Sequence, residues 1–133
     1  MSHRISRADR RAGSNNAANP NRNVCALAAA RAFGVGDVQR YLHTDSDLFR
    51  AIRSKYSVRS VKSSCASTVG AARADMARLA AERRDLIAFV VIVEGHVLVI
   101  NRDGQTIVDT APRQRDRRAI RRIMGVYRQS IFN

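Results

Sequence analysis

Apolar and polar positions fall into short blocks in the second half of the chain. Three apolar runs, 86–93, 97–100 and 106–108, are separated by Glu94-Gly95 and by Asn101-Arg102-Asp103-Gly104. The runs are rich in Val and Ile, whose branched side chains suit a pleated surface, and they predict three successive strands. Asp103-Gly104 predicts a tight hairpin between the second and third, because both central residues of a type I′ turn need positive φ. With those two residues as the loop, Leu98 lies opposite Asp109; with the loop one residue earlier, His96 does. In either register strand alternation puts His96 and Asp109 on one face and within reach of each other. A one-residue bulge would carry Asp109 to the opposite face.

Upstream the spacing turns helical. The segment VCALAAARAFG, from Val24, is rich in strong helix formers, with Asn23 as its N-cap and Gly34 as its stop, which puts Cys25 in the first turn. Val38, Tyr41 and Leu42 space a short helix over 37–42. Asp45-Ser46-Asp47 caps another, with Leu48, Phe49 and Ile52 as its buried stripe. Residues 56–62 alternate as an edge strand and 63–68 read as a polar loop. A helix over 69–84 turns Met76, Leu79 and Ala80 inward and Arg73, Arg78, Arg83 and Arg84 outward. Beyond Pro112, the positions of Ala119, Ile120 and Ile123 predict a last, strongly basic helix over 116–124, and 126–132 adds a strand or packs as coil. Helices, then an antiparallel sheet, then a helix make an α+β plan.

At 133 residues and 45% apolar the chain suits a single domain, with a core kept thin by its many alanines and its lack of Trp. Residues 1–23 have almost nothing to bury and read as a basic flexible arm ahead of a domain over 24–133. No apolar run approaches the roughly 18 residues of a membrane span, and the basic N-terminus has no apolar stretch after it, so neither membrane insertion nor secretion by a signal peptide is expected. Cys25 and Cys65 are then expected as reduced thiols. The formal charge is +13, and 22 of the 24 cations are Arg. That balance predicts attraction to a polyanion, either an acidic protein partner or nucleic acid bound without sequence preference, since no recognition motif accompanies the charge.

One constellation carries chemistry. A thiol at a helix N-terminus is pushed toward thiolate by the helix dipole, an imidazole can share its proton, and a carboxylate can hold the ring in the working tautomer. Cys25, His96 and Asp109 are placed for these roles. An amide from Asn19, Asn21 or Asn23 is a candidate second donor to an oxyanion. Cys65 has no partner at metal spacing and reads as an inert thiol. Cys25, Cys65 and His96 form no paired ligand motif, so neither a metal nor another cofactor is expected.

The segment Asn-x-x-Cys-Ala-Leu-Ala-Ala-Ala, then Gly-His-Val-Leu-Val-Ile, a Gly turn and Val-Asp-Thr-x-x-Pro-Arg resembles the small papain-like cysteine peptidase-fold proteins of bacteriophages and prophages. The similarity covers roughly 24–42 and 95–113. It implies a papain-like fold, an N-terminal helical lobe packed on an antiparallel sheet, with Cys25 as nucleophile, His96 as its proton partner and Asp109 orienting the ring. The Gln that precedes the nucleophile in that group has Asn19 as its counterpart here. Two functions follow from the resemblance. One is a phage-type cysteine hydrolase, a peptidase or amidase acting on a protein substrate in the host cytoplasm. The other is a catalytically inactive virion or assembly protein that uses the papain-like domain as a structural part of a larger assembly, its Arg-rich arm and basic 113–128 segment contacting nucleic acid or an acidic protein.

Overall fold

The computed structural model describes residues 20–35, 44–61, 68–113 and 115–129. The helix expected over 37–42, nearly all of the polar loop, and with them Asn19 and Cys65, lie outside these residues. Among the described residues are three helices, α1 (Pro20–Ala32), α2 (Asp45–Arg53) and α3 (Val69–Glu82). Five strands accompany them: β1 (Tyr56–Val61), β2 (Leu86–Val93), β3 (His96–Asn101), β4 (Thr106–Val108) and β5 (Ile120–Arg128). Every pairing is antiparallel, in the order β1-β5-β2-β3-β4. The architecture is therefore α+β, and no described helix is long and apolar enough to cross a membrane.

The sheet is covered on both faces. One face packs Ala88, Val90, Ile92, Val97, Val99, Met124 and Val126 against α1 and α2; the other packs Phe89, Val91, Val93, Leu98, Ile100, Ile123 and Tyr127 against α3. Successive side chains of β2 thus enter different cores, and its sequence reads as a continuous apolar run. Each such Val, Ile or Leu contributes roughly 1.5–3 kcal/mol by leaving water.

Two expectations need correction. The basic helix over 116–124 is absent: Asp116 to Arg118 are irregular, and from Ile120 the chain is β5, which inserts between β1 and β2. The spacing of Ala119, Ile120 and Ile123 fits a helix, but Val126 and Tyr127 favour extended chain and Gly125 disfavours continuing a helix. Burial of 123–127 on both faces also removes the alternation that would have announced a strand. The second correction concerns α1, which starts at Pro20 rather than after Asn23. Proline suits the first helical position because the N–H it lacks has no partner there. Cys25 therefore sits in the second turn, and 20–23 belong to the helix rather than to the arm.

The helix ends carry recognisable chemistry. Past α1, Gly34 has φ +73°, the Val35 N–H donates to the Ala30 carbonyl and the Gly34 N–H to that of Arg31, a Schellman motif that glycine alone enters without strain. Thr44 caps α2 through a reciprocal box with Asp47. Thr68 caps α3 by accepting from the Ala71 N–H. At the far end of α3, the Arg102 guanidinium donates to the carbonyls of Ala80 at 2.6 Å, Arg83 at 3.0 Å and Leu86.

Candidate functional site

The β3–β4 hairpin decides where Asp109 points. It is not a two-residue type I′ turn, since Asp103 has no positive φ and only Gly104 does, at +83°. Instead Arg102-Asp103-Gly104 form a three-residue loop closed by the Asn101 N–H on the Gln105 carbonyl at 2.8 Å. The Asn101 Oδ1 accepts from the Asp103 and Gln105 N–H groups, both at 2.9 Å. This loop pairs Ile100 with Thr106, a register that, continued, would set Asp109 opposite Val97 and on the wrong face. A bulge at Ile107 shifts the pairing back to Val99 with Val108. The two departures cancel, and Asp109 returns to the face of Leu98 and His96.

There the His96 Nε2 and the Asp109 Oδ1 lie 2.7 Å apart. The other Asp109 oxygen accepts from Arg118 at 2.6 Å, and Arg118 also donates to both oxygens of Asp116, at 2.8 and 2.6 Å. The Ala111 N–H adds a bond to Asp109 Oδ1 at 2.8 Å. All three charged side chains are shielded: 11% exposed for Arg118, 4% for Asp109 and 1% for Asp116. Burial opposes ionisation of Asp109, but hydrogen bonds from Arg118, His96 and the Ala111 N–H outweigh it and hold the carboxyl below its usual range. For Asp116 the Arg118 hydrogen bond dominates and lowers it likewise, while the two carboxylates raise the guanidinium pKa still further.

This cluster is fastened to the start of α3. The Val69 N–H donates to the Arg118 carbonyl at 3.0 Å and the Gly70 N–H to that of Asp116 at 2.7 Å. Two N–H groups that a helix start leaves over are thus taken up by the 116–118 segment. A bridge between Thr68 and Ala119 extends the junction.

Cys25 belongs to the core on the α1 side of the sheet. It is fully buried, in the core beneath α1 and α2 to which Val97 and Val99 of β3 also belong. His96 pairs directly across the strands with Val93, and Val93, Leu98 and Ile100 all belong to the core beneath α3. Alternation therefore directs the His96 side chain to the α3 side of the sheet, and Cys25 packs on the other. Its place in the second turn also removes it from the first-turn N–H groups and from most of the dipole's effect. Asn21 and Asn23 are residues of α1, not of a preceding loop. Among the described residues no group of three His, Cys, Asp or Glu side chains converges to hold a metal.

Sequence reasoning missed Arg118 and Asp116. A signal was available: Asp116 is the one acid between Arg113 and Arg122, a stretch that holds six arginines. Beside the cluster an open groove of about 470 Å³ is lined by Val93, Glu94, Arg113, Arg118, Ala119 and Arg121. Arg113 and Arg121 are exposed, as are Arg115 and Arg117 of the same segment. Comparisons with protein-family models, curated proteins and solved structures find no match to this chain.

Proposed function

We propose that this chain is a non-catalytic nucleic-acid-binding protein, a virion or assembly component that keeps a papain-like scaffold without cysteine chemistry. The observation that carries the reading is the complete burial of Cys25 in the core beneath α1 and α2, on the sheet face opposite the one that strand alternation gives His96. A working thiol sits partly exposed in an electropositive pocket, whereas this one belongs to the hydrophobic core and has no exposure. The His96–Asp109 contact is accounted for by structure: with Arg118 and Asp116 it ties the hairpin to the start of α3.

What remains on the surface is arginine. Guanidinium is always charged, and its planar fork pairs with phosphate oxygens as it does with carboxylates, so an Arg-dominated charge of +13 suits a polyanion, of which the phosphate backbone of a nucleic acid is the one proposed here. Arg4, Arg7, Arg10 and Arg11 add to this charge near the N-terminus. The test is binding of random-sequence duplex DNA over a salt series. Two unrelated sequences should bind alike, with log K falling linearly in log salt by about 0.9 per phosphate contacted. No binding at about 50 mM salt, or a strong preference for one sequence, would overturn the reading.

A second reading, the phage-type papain-like cysteine hydrolase, has one observation in its favour: a histidine held 2.7 Å from a buried aspartate, as a general base requires. Hydrolysis of fluorogenic peptide or amide substrates that vanishes in Cys25→Ala would establish it. Failure of turnover, or turnover indifferent to that substitution, would remove it.

A further inference from the structure

We infer that the groove between the β2–β3 turn and the 113–121 segment is the seat of a backbone phosphate, gripped by Arg113 and Arg121. This rests on the nucleic-acid reading above and gives it a location. The argument starts from what Arg118 does. Its guanidinium is spent on Asp109 and Asp116, so it contributes little free charge to the groove it lines. Its effect is positional: it pins the middle of an arginine-rich segment whose backbone is also bonded to the start of α3.

Fixing that segment at its centre leaves the flanking cations to face water. Arg113 and Arg121 line the groove, are exposed, and make no hydrogen bond or ion pair with any described residue. Arg121 owes its position to a second bulge, since Val93 pairs with Ile120 while Ile92 pairs with Arg122. Being the extra residue between these two pairs, Arg121 is released from the ladder. Arg122 differs: its guanidinium lies 5.3 Å over the Phe49 ring and reaches the Met124 sulfur on the α2 side. Two guanidiniums with no partner among the described residues, lining an open groove together with Val93 and Ala119, suit a phosphodiester, which presents two anionic oxygens between less polar sugars. Glu94 also lines the groove.

The experiment compares the full chain with Arg113→Gln/Arg121→Gln and with Arg31→Gln/Arg53→Gln, which removes two exposed arginines from α1 and α2. All four residues are exposed, so unchanged melting curves are expected in both variants. Binding of a random-sequence DNA duplex is measured across a salt series. The groove variant should lose about 1.8 from the slope of log K against log salt, equally for two unrelated sequences, while the helix variant keeps the wild-type slope. If the wild-type chain binds DNA but the groove variant keeps its slope, or both variants lose it equally, the groove assignment is overturned while the nucleic-acid reading stands. If the wild-type chain does not bind, both fall.

Discussion

Arg118 holds two carboxylates that its own fold has taken out of water, and this single side chain sets the behaviour of its neighbourhood. Removing one member of a buried ionic group leaves the others charged and unpaired, at a cost of roughly 3–5 kcal/mol. Arg118→Ala is therefore expected to lower stability by about that much in urea unfolding at neutral pH, whereas a loss under about 1 kcal/mol would mean the network is solvated. The same network sets an acid limit. Asp109 and Asp116 both titrate below their ordinary range in the folded chain. On acidification the unfolded chain takes up protons first, so their contribution is complete above about pH 4 and is lost as the pH falls through the folded values. Thermal melts should decline steeply below about pH 4, and the decline should be shallower in Asp109→Asn/Asp116→Asn. Equal acid slopes in the two proteins would assign the acid sensitivity to other groups.

Among the elements, the hairpin that carries Asp109 depends on two residues with separate duties. Arg102 leaves the loop to cap α3, so Arg102→Ala strips a charged donor from three carbonyls. The expected loss is about 1.5–3 kcal/mol, read by chemical denaturation, with faster amide exchange at the end of α3. Gly104 combines φ +83° with a position where a Cβ would stand 2.7 Å from the Arg73 carbonyl oxygen. Gly104→Ala should therefore cost more than Gly34→Ala, whose added Cβ meets only the flexible tip of Lys55 at 3.3 Å. Equal losses would mean that the α3–hairpin contact yields easily.

Much of this level was legible in the sequence. The α2 stripe of Leu48, Phe49 and Ile52, the edge strand β1, the inward Met76 and Ala80 of α3 and the strands β2 and β3 all follow from spacing and propensity, although α2 is capped by Thr44 rather than by Asp45-Ser46-Asp47. So did the shared face of His96 and Asp109, although by a different route, because a longer loop and a bulge offset each other and neither leaves a mark in composition. The last strand, offered only over 126–132, starts at Ile120, and its beginning escaped because burial on both faces erases alternation. Arg73 was expected outward, yet its side chain reaches the Gly104 carbonyl at 3.3 Å and the Thr106 hydroxyl at 2.6 Å. A helix wheel cannot anticipate a neighbouring loop.

At the scale of the whole molecule, the sheet is a partition. It puts an alanine-rich helix and its thiol on one side, and an imidazole, two carboxylates and the arginine-rich segment on the other. On the proposed reading, a chain whose text offers a nucleophile, a base and an acid in order folds with the first divided from the other two, and surface charge is the feature proposed to act on a partner. The direct test is the alkylation rate of Cys25 by iodoacetamide near neutral pH, followed by mass spectrometry in the native protein and in urea. The partition requires Cys25 to label at least about a hundred-fold more slowly in the native chain than in the unfolded one, since reaction must await an opening that exposes the core. Native labelling as fast as in urea, or faster, would place an activated thiol at the surface and contradict the account.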